Sequence, residues 1–291
     1  MTRAQARSAL IVITLIWGVS ITAVKGLLGY AAPLTSVAVR FGLAGLVLVP
    51  ALRGLKRPEL RGGLLIGLVF GLGVMFQNLG LAHTTASRSA FIVALSALLT
   101  PALGALILGH KPSGIVVARL LVAMSGVFLL TAPGGSLADL NRGDLFTIVA
   151  AVLYAGQIVA VGHYAMGSDT RRLLGIQLLM TSGISLLLSP ALETPSFHLV
   201  PMSAALVAFL SASSLTTFSL QIRAQRVVTA SEAALVYTFE PVVTAATAYL
   251  AFGETLGPVQ WVGGLVILVA VGWPEKAPKP QSPNAPTATA S

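Results

Sequence analysis

A single carboxylate inside a long apolar run is the most informative polar residue of this sequence. Glu240 stands between Phe239 and Pro241, in a run of apolar and small residues long enough to cross a bilayer. A carboxylate at mid-bilayer is costly unless it faces water, a partner or the interior of a helix bundle, so Glu240 is a candidate for function. It would contact a positively charged group of a ligand or take up a proton. The alternative is a hydrogen-bonded brace between helices.

Other polar and aromatic side chains lie inside apolar runs and complete a candidate binding site. Aromatic rings within spans would give a flat substrate a surface for stacking, and amides and hydroxyls would line a wet cavity. The candidate substrate-binding residues are Trp17, Gln77, Asn78, His83, Tyr154, Gln157, Ser213, Phe218, Tyr237 and Glu240. Ordinary helix packing is the alternative for the rings and hydroxyls, and a satisfied structural role is the alternative for the histidine.

Prolines and one arginine suggest how such a site would work. Pro101 and Pro241 lie in equivalent spans and are candidate hinges, because proline removes a backbone donor. The half-helix ends would expose N–H groups whose positive dipole end can hold an anionic group. Arg40 begins the second span near the outer leaflet, where it could attract a carboxylate, and we leave it out of the candidate site.

The sequence holds no pattern typical of an enzyme or a metal site. It has no Cys, its four His are scattered without metal-ligand spacing, and it has neither G-x-S-x-G nor H-E-x-x-H. We therefore expect no catalytic residue, no metal and no cofactor. The basic residues occur singly or in pairs between apolar runs, so the net charge of +9 does not indicate a nucleic-acid partner.

The elements that must position these residues are membrane spans. With 55% hydrophobic and 9% charged residues in 291, the chain lacks the polar surface of a soluble globule. Apolar runs of spanning length recur ten times and predict an all-α membrane protein. The predicted spans are 8–28, 34–52, 62–82, 87–108, 113–131, 144–165, 172–190, 199–222, 228–251 and 257–273.

An internal repeat organises the ten spans. Residues 85–127 align without a gap on 229–271, with 11 identities in 43 pairs. Each copy holds five spans, and because five is odd the second copy enters the membrane from the opposite side, as in inverted-repeat transporters. Arg88 and Glu232 are equivalent in the repeat, so inversion places them at opposite faces and each is expected to pair locally.

The distribution of Lys and Arg predicts that both termini are cytoplasmic, with thirteen basic residues on that side and only Arg142 outside. We expect the first span to be retained rather than cleaved as a signal peptide, because its apolar run is too long. The predicted domains are a first five-helix repeat at 1–133, an outside linker at 134–143, a second repeat at 144–273, and a disordered cytoplasmic tail at 274–291.

One stretch resembles a known family. From Gln221 the sequence reads QIRAQRVVTASEAALVYTFEPVV, with Gly253-Glu254 and Gln260 after it. It is similar to the drug/metabolite transporter superfamily, in its ten-helix EamA-like branch. The first copy departs from the pattern, since Pro101 lies one turn later than the repeat predicts and His110 stands where the family commonly has Glu. Within the superfamily, the motif TTASRSAF at 84–91 looks most like the YddG-type exporters of aromatic amino acids.

The resemblance implies a secondary transporter of the cell inner membrane that exports small metabolites by alternating access, with aromatic amino acids favoured. A drug/proton antiporter of the same fold is the alternative. The expected partners are a small-molecule substrate and the lipid bilayer. The oligomeric state is open, and a monomer is compatible with the sequence. We expect the first, third, fourth, sixth, eighth and ninth spans to line the cavity.

Overall fold

The computed structural model describes residues 1–109, 112–131, 141–253 and 257–273. His110, Glu254, the tail at 274–291 and most of the predicted linker lie outside these residues. The described chain consists of helices joined by short connections, and it contains no β-strand beyond a single bridge between Ala31 and Phe197.

Twelve α-helices follow one another along the described chain. The first six are α1 (Arg3–Leu27), α2 (Pro33–Leu48, continued by a 3₁₀ turn at Val49–Leu52), α3 (Arg57–His83), α4 (Ala86–Ala94), α5 (Ser96–Leu108) and α6 (Gly114–Thr131). The second six are α7 (Arg142–Tyr164), α8 (Thr170–Leu192), α9 (Pro201–Ala224), α10 (Ala230–Tyr237), α11 (Glu240–Phe252) and α12 (Pro258–Gly272).

These helices confirm the predicted ten spans. Eight segments of the described chain are long and apolar enough to cross a membrane, and α4 with α5, like α10 with α11, forms one such segment. Two shorter apolar helices, α6 and α12, supply the fifth span of each copy. The prediction of an all-α, ten-helix membrane protein is therefore correct.

The helices pack in a pattern that is the same for both copies. Helix α1 packs on α9 and α11, and its repeat mate α7 packs on α3 and α5. The second and seventh spans, α2 and α8, pack on each other, as do α6 and α12. Each contact within this set is thus matched by its repeat equivalent, as a pseudo-two-fold axis between the copies requires.

Both copies break the same helix at the same repeat position. Helix α4 ends before Leu95, and α10 ends before Thr238 and Phe239, which lies 144 residues after Leu95. The N–H groups of Leu95 and Phe239 each donate to a carbonyl three residues earlier, at 3.1 Å in both cases. Both junctions are therefore tightened turns, and the N–H groups of Leu95 and Phe239 are not available to an anion.

The two candidate hinge prolines differ in their relation to these breaks. Pro241 is the second residue of α11 and lies directly after its break. Pro101 lies inside α5, six residues after Leu95, so it does not mark the break of the first copy. The shared feature is the position of the break in the repeat, not the proline.

Glycines let the third span approach the seventh closely. A Cβ on Gly63 would lie 2.6 Å from Ile176, and one on Gly67 would lie 2.7 Å from the carbonyl oxygen of Gln177. The recurrence of Gly63, Gly67 and Gly71 at every fourth residue therefore indicates helix packing, because only a missing side chain permits this distance. These contacts join α3 of the first copy to α8 of the second.

Candidate functional site

A cavity of about 110 Å³ lies at the level of both helix breaks. Val93 and Ser96 flank the break at Leu95, and Tyr237 and Glu240 flank the break at Phe239. The walls come from α1, α2, α3, α4, α5, α7, α9, α10 and α11. All six spans that we expected to line the cavity do so, and the second span, α2, is an addition.

The structure brings nine of the ten candidate binding residues together around this cavity. These are Trp17, Gln77, Asn78, Tyr154, Gln157, Ser213, Phe218, Tyr237 and Glu240. The exception is His83, which is exposed at the last residue of α3 and does not line the cavity. The two prolines, Pro101 and Pro241, are buried and also lie outside the lining.

Aromatic rings form a continuous chain along the cavity wall. The ring of Trp17 lies 4.9 Å from Tyr237 and 5.7 Å from Phe218. Phe218 contacts Phe70 edge-on at 4.7 Å, and Phe70 lies 5.9 Å from Tyr154. Both repeat mates, Trp17 and Tyr154, therefore belong to one chain of rings, which offers a flat ligand edges and faces for contact.

Sequence reasoning missed Phe70 and Phe41, whose ring lies 5.4 Å from that of Phe70. Phe70 stands in the glycine-rich third span beside Gly71, and nothing polar nearby distinguishes it from a lipid-facing or core residue. The spacing of Gly63, Gly67 and Gly71 identifies the face of α3 that packs on α8, but not the face that borders the cavity.

Hydrogen bonds hold several of these side chains in fixed positions. The indole Nε1 of Trp17 donates to Thr217 Oγ1 at 3.0 Å, and the hydroxyl of Tyr154 donates to Gln77 Oε1 at 2.6 Å. Gln157 is within hydrogen-bond distance of Gln221, the repeat mate of Gln77. Because these donors and acceptors are already occupied, they orient the rings and leave recognition of a charged ligand to other groups.

The amide of Asn78 is held differently from those glutamines. Its Nδ2 donates to Ser36 Oγ at 3.0 Å and to the carbonyl of Pro33 at 3.2 Å. Its Oδ1 is buried and has no hydrogen-bond partner among the described residues. Asn78 therefore keeps one acceptor available beside the cavity.

Two opposite charges face the cavity. The carboxylate of Glu240 and the guanidinium of Arg40 both belong to its lining, and neither forms an ion pair within the described parts of the chain. Glu240 is half-buried, and Arg40 is buried. Arg40 lies seven residues after Pro33, about 10 Å along α2 at 1.5 Å per residue, which explains its depth.

Besides the pair of Arg172 with Glu59 at 3.5 Å, two ion-pair sites lie away from the cavity, at opposite ends of the bundle. At one end, here called the Asp144 end, Arg88 Nη2 lies 2.8 Å from Asp144 Oδ2. At the other, the Glu232 end, Glu232 pairs with Arg3, and Arg7 Nη2 lies 4.0 Å from the same carboxylate oxygen. The repeat mates Arg88 and Glu232 thus lie at opposite ends and pair separately, as predicted.

The Arg88–Asp144 pair is equivalent in the repeat to the 4.0 Å contact of Arg7 with Glu232, with the charges exchanged. Arg88 and Glu232 differ by 144 positions, and Arg7 and Asp144 differ by 137, the offset that relates Trp17 to Tyr154. Each pair joins one copy to the other. Asp144 is fully buried and also accepts from Thr84 Oγ1 at 3.1 Å.

Within the described ranges, no group of three His, Asp or Glu side chains could hold a metal ion. The polar atoms of the cavity are amides, hydroxyls, one carboxylate and one guanidinium. This set suits an organic ligand that carries charge at two points and an apolar or aromatic body.

Comparisons with known proteins agree on the kind of molecule. The model of the EamA-like transporter family matches residues 6–132 and 141–273, which are the two copies of the repeat. An uncharacterized transporter from Archaeoglobus fulgidus is 28% identical over 274 residues, covering 92% of this chain and 85% of its own length.

One further relative matches about half of this chain, and one solved structure matches its fold. The uncharacterized transporter YyaM of Bacillus subtilis is 30% identical over 151 residues, or 47% of this chain and 49% of its own. One solved crystal structure superposes with a TM-score of 0.75 over 92% of this chain and 96% of that chain. At 20% identity, that last match shows the fold alone.

Proposed function

Since this chain belongs to the EamA-like transporter family, we propose that it is a secondary transporter that exports amino acids, with aromatic side chains favoured. The observation that carries this substrate class is the cavity between the helix breaks, which combines a chain of rings with the carboxylate of Glu240. Rings bind a flat side chain, and a carboxylate binds an ammonium group.

The aromatic preference rests on how the rings are arranged. Each ring contact along the wall is tilted or edge-on, so ring faces remain for a ligand. An aromatic pair contributes about 0.5–1.5 kcal/mol beyond the apolar area that it buries. An aromatic amino acid would therefore bind more tightly than an aliphatic one of similar volume.

Alternating access is supported by the ion pairs at the two ends of the bundle. Each joins the first copy to the second at one end of the bundle, and the cavity lies between them. Opening of one pair would admit substrate from one side while the other pair keeps the opposite side closed. The excess of basic residues predicts that the Glu232 end faces the cytoplasm of a cell whose inner membrane holds the protein.

Counterflow in liposomes tests the substrate class. Vesicles loaded with unlabelled phenylalanine, leucine, a cationic drug or a nucleotide sugar are diluted into a trace of the same labelled compound. The proposal expects accumulation of phenylalanine above leucine. Accumulation of the drug alone would contradict the amino-acid assignment while leaving the family unaffected.

A drug/proton antiporter is the second candidate, and Glu240 is the observation that favours it. A carboxylate that faces a cavity without an ion-pair partner in the described chain can exchange a proton for a cationic substrate. Flux through wild type and Glu240→Gln is compared with and without a pH gradient. If the protein is an antiporter, the pH gradient should drive flux through wild type but not through Glu240→Gln. If it is a facilitator, flux should follow the substrate gradient alone.

A further inference from the structure

Arg40 is a cation buried in the bundle, and no described residue forms an ion pair with it. The residue is 6% exposed, and its Nε atom is buried without a hydrogen-bond partner among the described residues. Its guanidinium carbon lies 4.5 Å from the centre of the Phe41 ring, so one face of the group rests on an aromatic side chain. That contact leaves the edges of the guanidinium, which carry its N–H donors, for another partner.

A buried charge of this kind is costly unless something pairs with it. Arginine inside a transmembrane bundle is rare, and it normally faces a partner or a hydrated pathway. The other span-buried arginine, Arg119, follows that rule, because it donates to the carbonyls of Ala270 and Val271 at 3.0 and 2.8 Å. Arg40 makes no such bond in the described chain and lines the cavity instead.

Arg40 and Glu240 face the same cavity without forming an ion pair with each other. Two opposite charges that share a cavity but stay apart match a ligand that carries both charges itself. The aromatic wall lies beside them, since Phe41 follows Arg40 and contacts Phe70.

We infer that Arg40 binds the carboxylate of a zwitterionic substrate, whose ammonium group faces Glu240 and whose side chain packs against the aromatic wall. The inference rests on the proposed function for the identity of the cargo and adds a requirement for both charges. The planar guanidinium suits a carboxylate because two of its N–H groups can donate to the two oxygens together.

Binding to wild type is the first test, and it needs no change at Arg40. The chain has three tryptophans, and only Trp17 lines the cavity, while Trp261 and Trp273 are exposed. With Trp261→Phe and Trp273→Phe in the background, the fluorescence of Trp17 reports ligands in the cavity. Phenylalanine is compared with its methyl ester, with 2-phenylethylamine and with 3-phenylpropanoate, which together remove each charge in turn.

We expect phenylalanine to bind at least about tenfold more tightly than its ester or 2-phenylethylamine, the effect of one charge-assisted hydrogen bond. Arg40→Gln should abolish this preference, because it should weaken the binding of phenylalanine and leave that of the ester and the amine unchanged. Arg40→Lys should keep part of the preference. Arg119→Gln is the matched control, because it removes a buried arginine outside the cavity lining. It should lower thermal stability and leave the preference unchanged.

The outcomes separate this inference from the proposed function. Equal binding of phenylalanine and 2-phenylethylamine by wild type would overturn the role of Arg40 while amino-acid transport could stand. Arg40-dependent binding of 3-phenylpropanoate with no amino-acid transport would support the anion site and contradict the proposed cargo. If Arg40→Gln does not fold, the wild-type series and Arg40→Lys decide the question.

Discussion

The ion pairs at the two ends of the bundle predict opposite effects of two conservative substitutions. Asp144→Asn removes the charge that faces Arg88 but keeps oxygen and nitrogen atoms for the cap at Asn141, whose N–H donates to Asp144 Oδ2 at 2.9 Å. Glu232→Gln does the same at the other end, where Glu232 Oε2 accepts from the N–H of Thr229 at 3.0 Å. Each variant should therefore weaken one end and leave the local helix start intact.

The expected size of the effect follows from the geometry of the pairs. A hydrogen bond to a charged group contributes about 1.5–3 kcal/mol and a neutral one about 1 kcal/mol, so neutralisation costs roughly 0.5–2 kcal/mol. Arg88 and Arg3 each have side chains that are 37% exposed, and solvent screening favours the lower half of that range. A loss of about 1 kcal/mol would shift the ratio of the two open states about fivefold.

Labelling of a single cysteine can measure this shift. The chain contains no cysteine, so Ser20→Cys places a unique thiol in the cavity wall. A membrane-impermeant maleimide is added from either side of oriented vesicles. Asp144→Asn should speed labelling from the Asp144 end and slow it from the Glu232 end, and Glu232→Gln should do the reverse. Equal changes in the labelling rate from both sides, or changes in the same direction in both variants, would refute the proposal that each pair closes one end of the bundle.

Three further substitutions test the packing that supports the site. Gly67→Ala should lower the thermal stability of the purified protein, because its Cβ would lie 2.7 Å from the carbonyl oxygen of Gln177, whereas the control Gly183→Ala meets no atom within 4 Å. Tyr154→Phe should cost about 1–3 kcal/mol in a thermal-shift assay, since Gln77 Oε1 loses its 2.6 Å donor. Glu193→Gln should cost about 1 kcal/mol in the same assay, because Glu193 accepts from the N–H groups of Leu34 and Thr35 at the start of α2. A fall in stability for Gly183→Ala as large as that for Gly67→Ala would contradict the packing argument.

The sequence predicted the span count and the equivalence of the broken helices because both depend on local patterns. Apolar runs report bilayer length, and the gapless alignment around Thr85 and Thr229 places two capped helix starts at the same repeat position. Gly109 and Gly253 end the two spans in the same way, both with positive φ. None of these features requires knowledge of which helices are neighbours.

The residues that line the cavity were harder to predict from the sequence, because the lining depends on which helix faces point inward. Arg40 looked interfacial when its span was counted from Leu34, and its lack of an ion-pair partner among the described residues becomes visible only when α2 is packed against its neighbours. His83 was a candidate because it follows Gln77 and Asn78 in the third span, but it does not line the cavity. An interval of six residues is a turn and two-thirds, which rotates His83 far from Gln77 around the helix.

The fold is symmetric, but the charges around its cavity are not. Ser96 is the repeat mate of Glu240, and both line the cavity, so the two broken helices present a hydroxyl on one side and a carboxylate on the other. The offset of 140 that relates Pro50 to Pro190 pairs Arg40 with Met180, which carries no charge and lies outside the lining. A ligand in such a cavity meets one cation and one anion at positions that the pseudo-two-fold axis does not exchange. The asymmetry would fix the direction in which a zwitterion lies between the copies, while the symmetric scaffold lets either end of the bundle open around it.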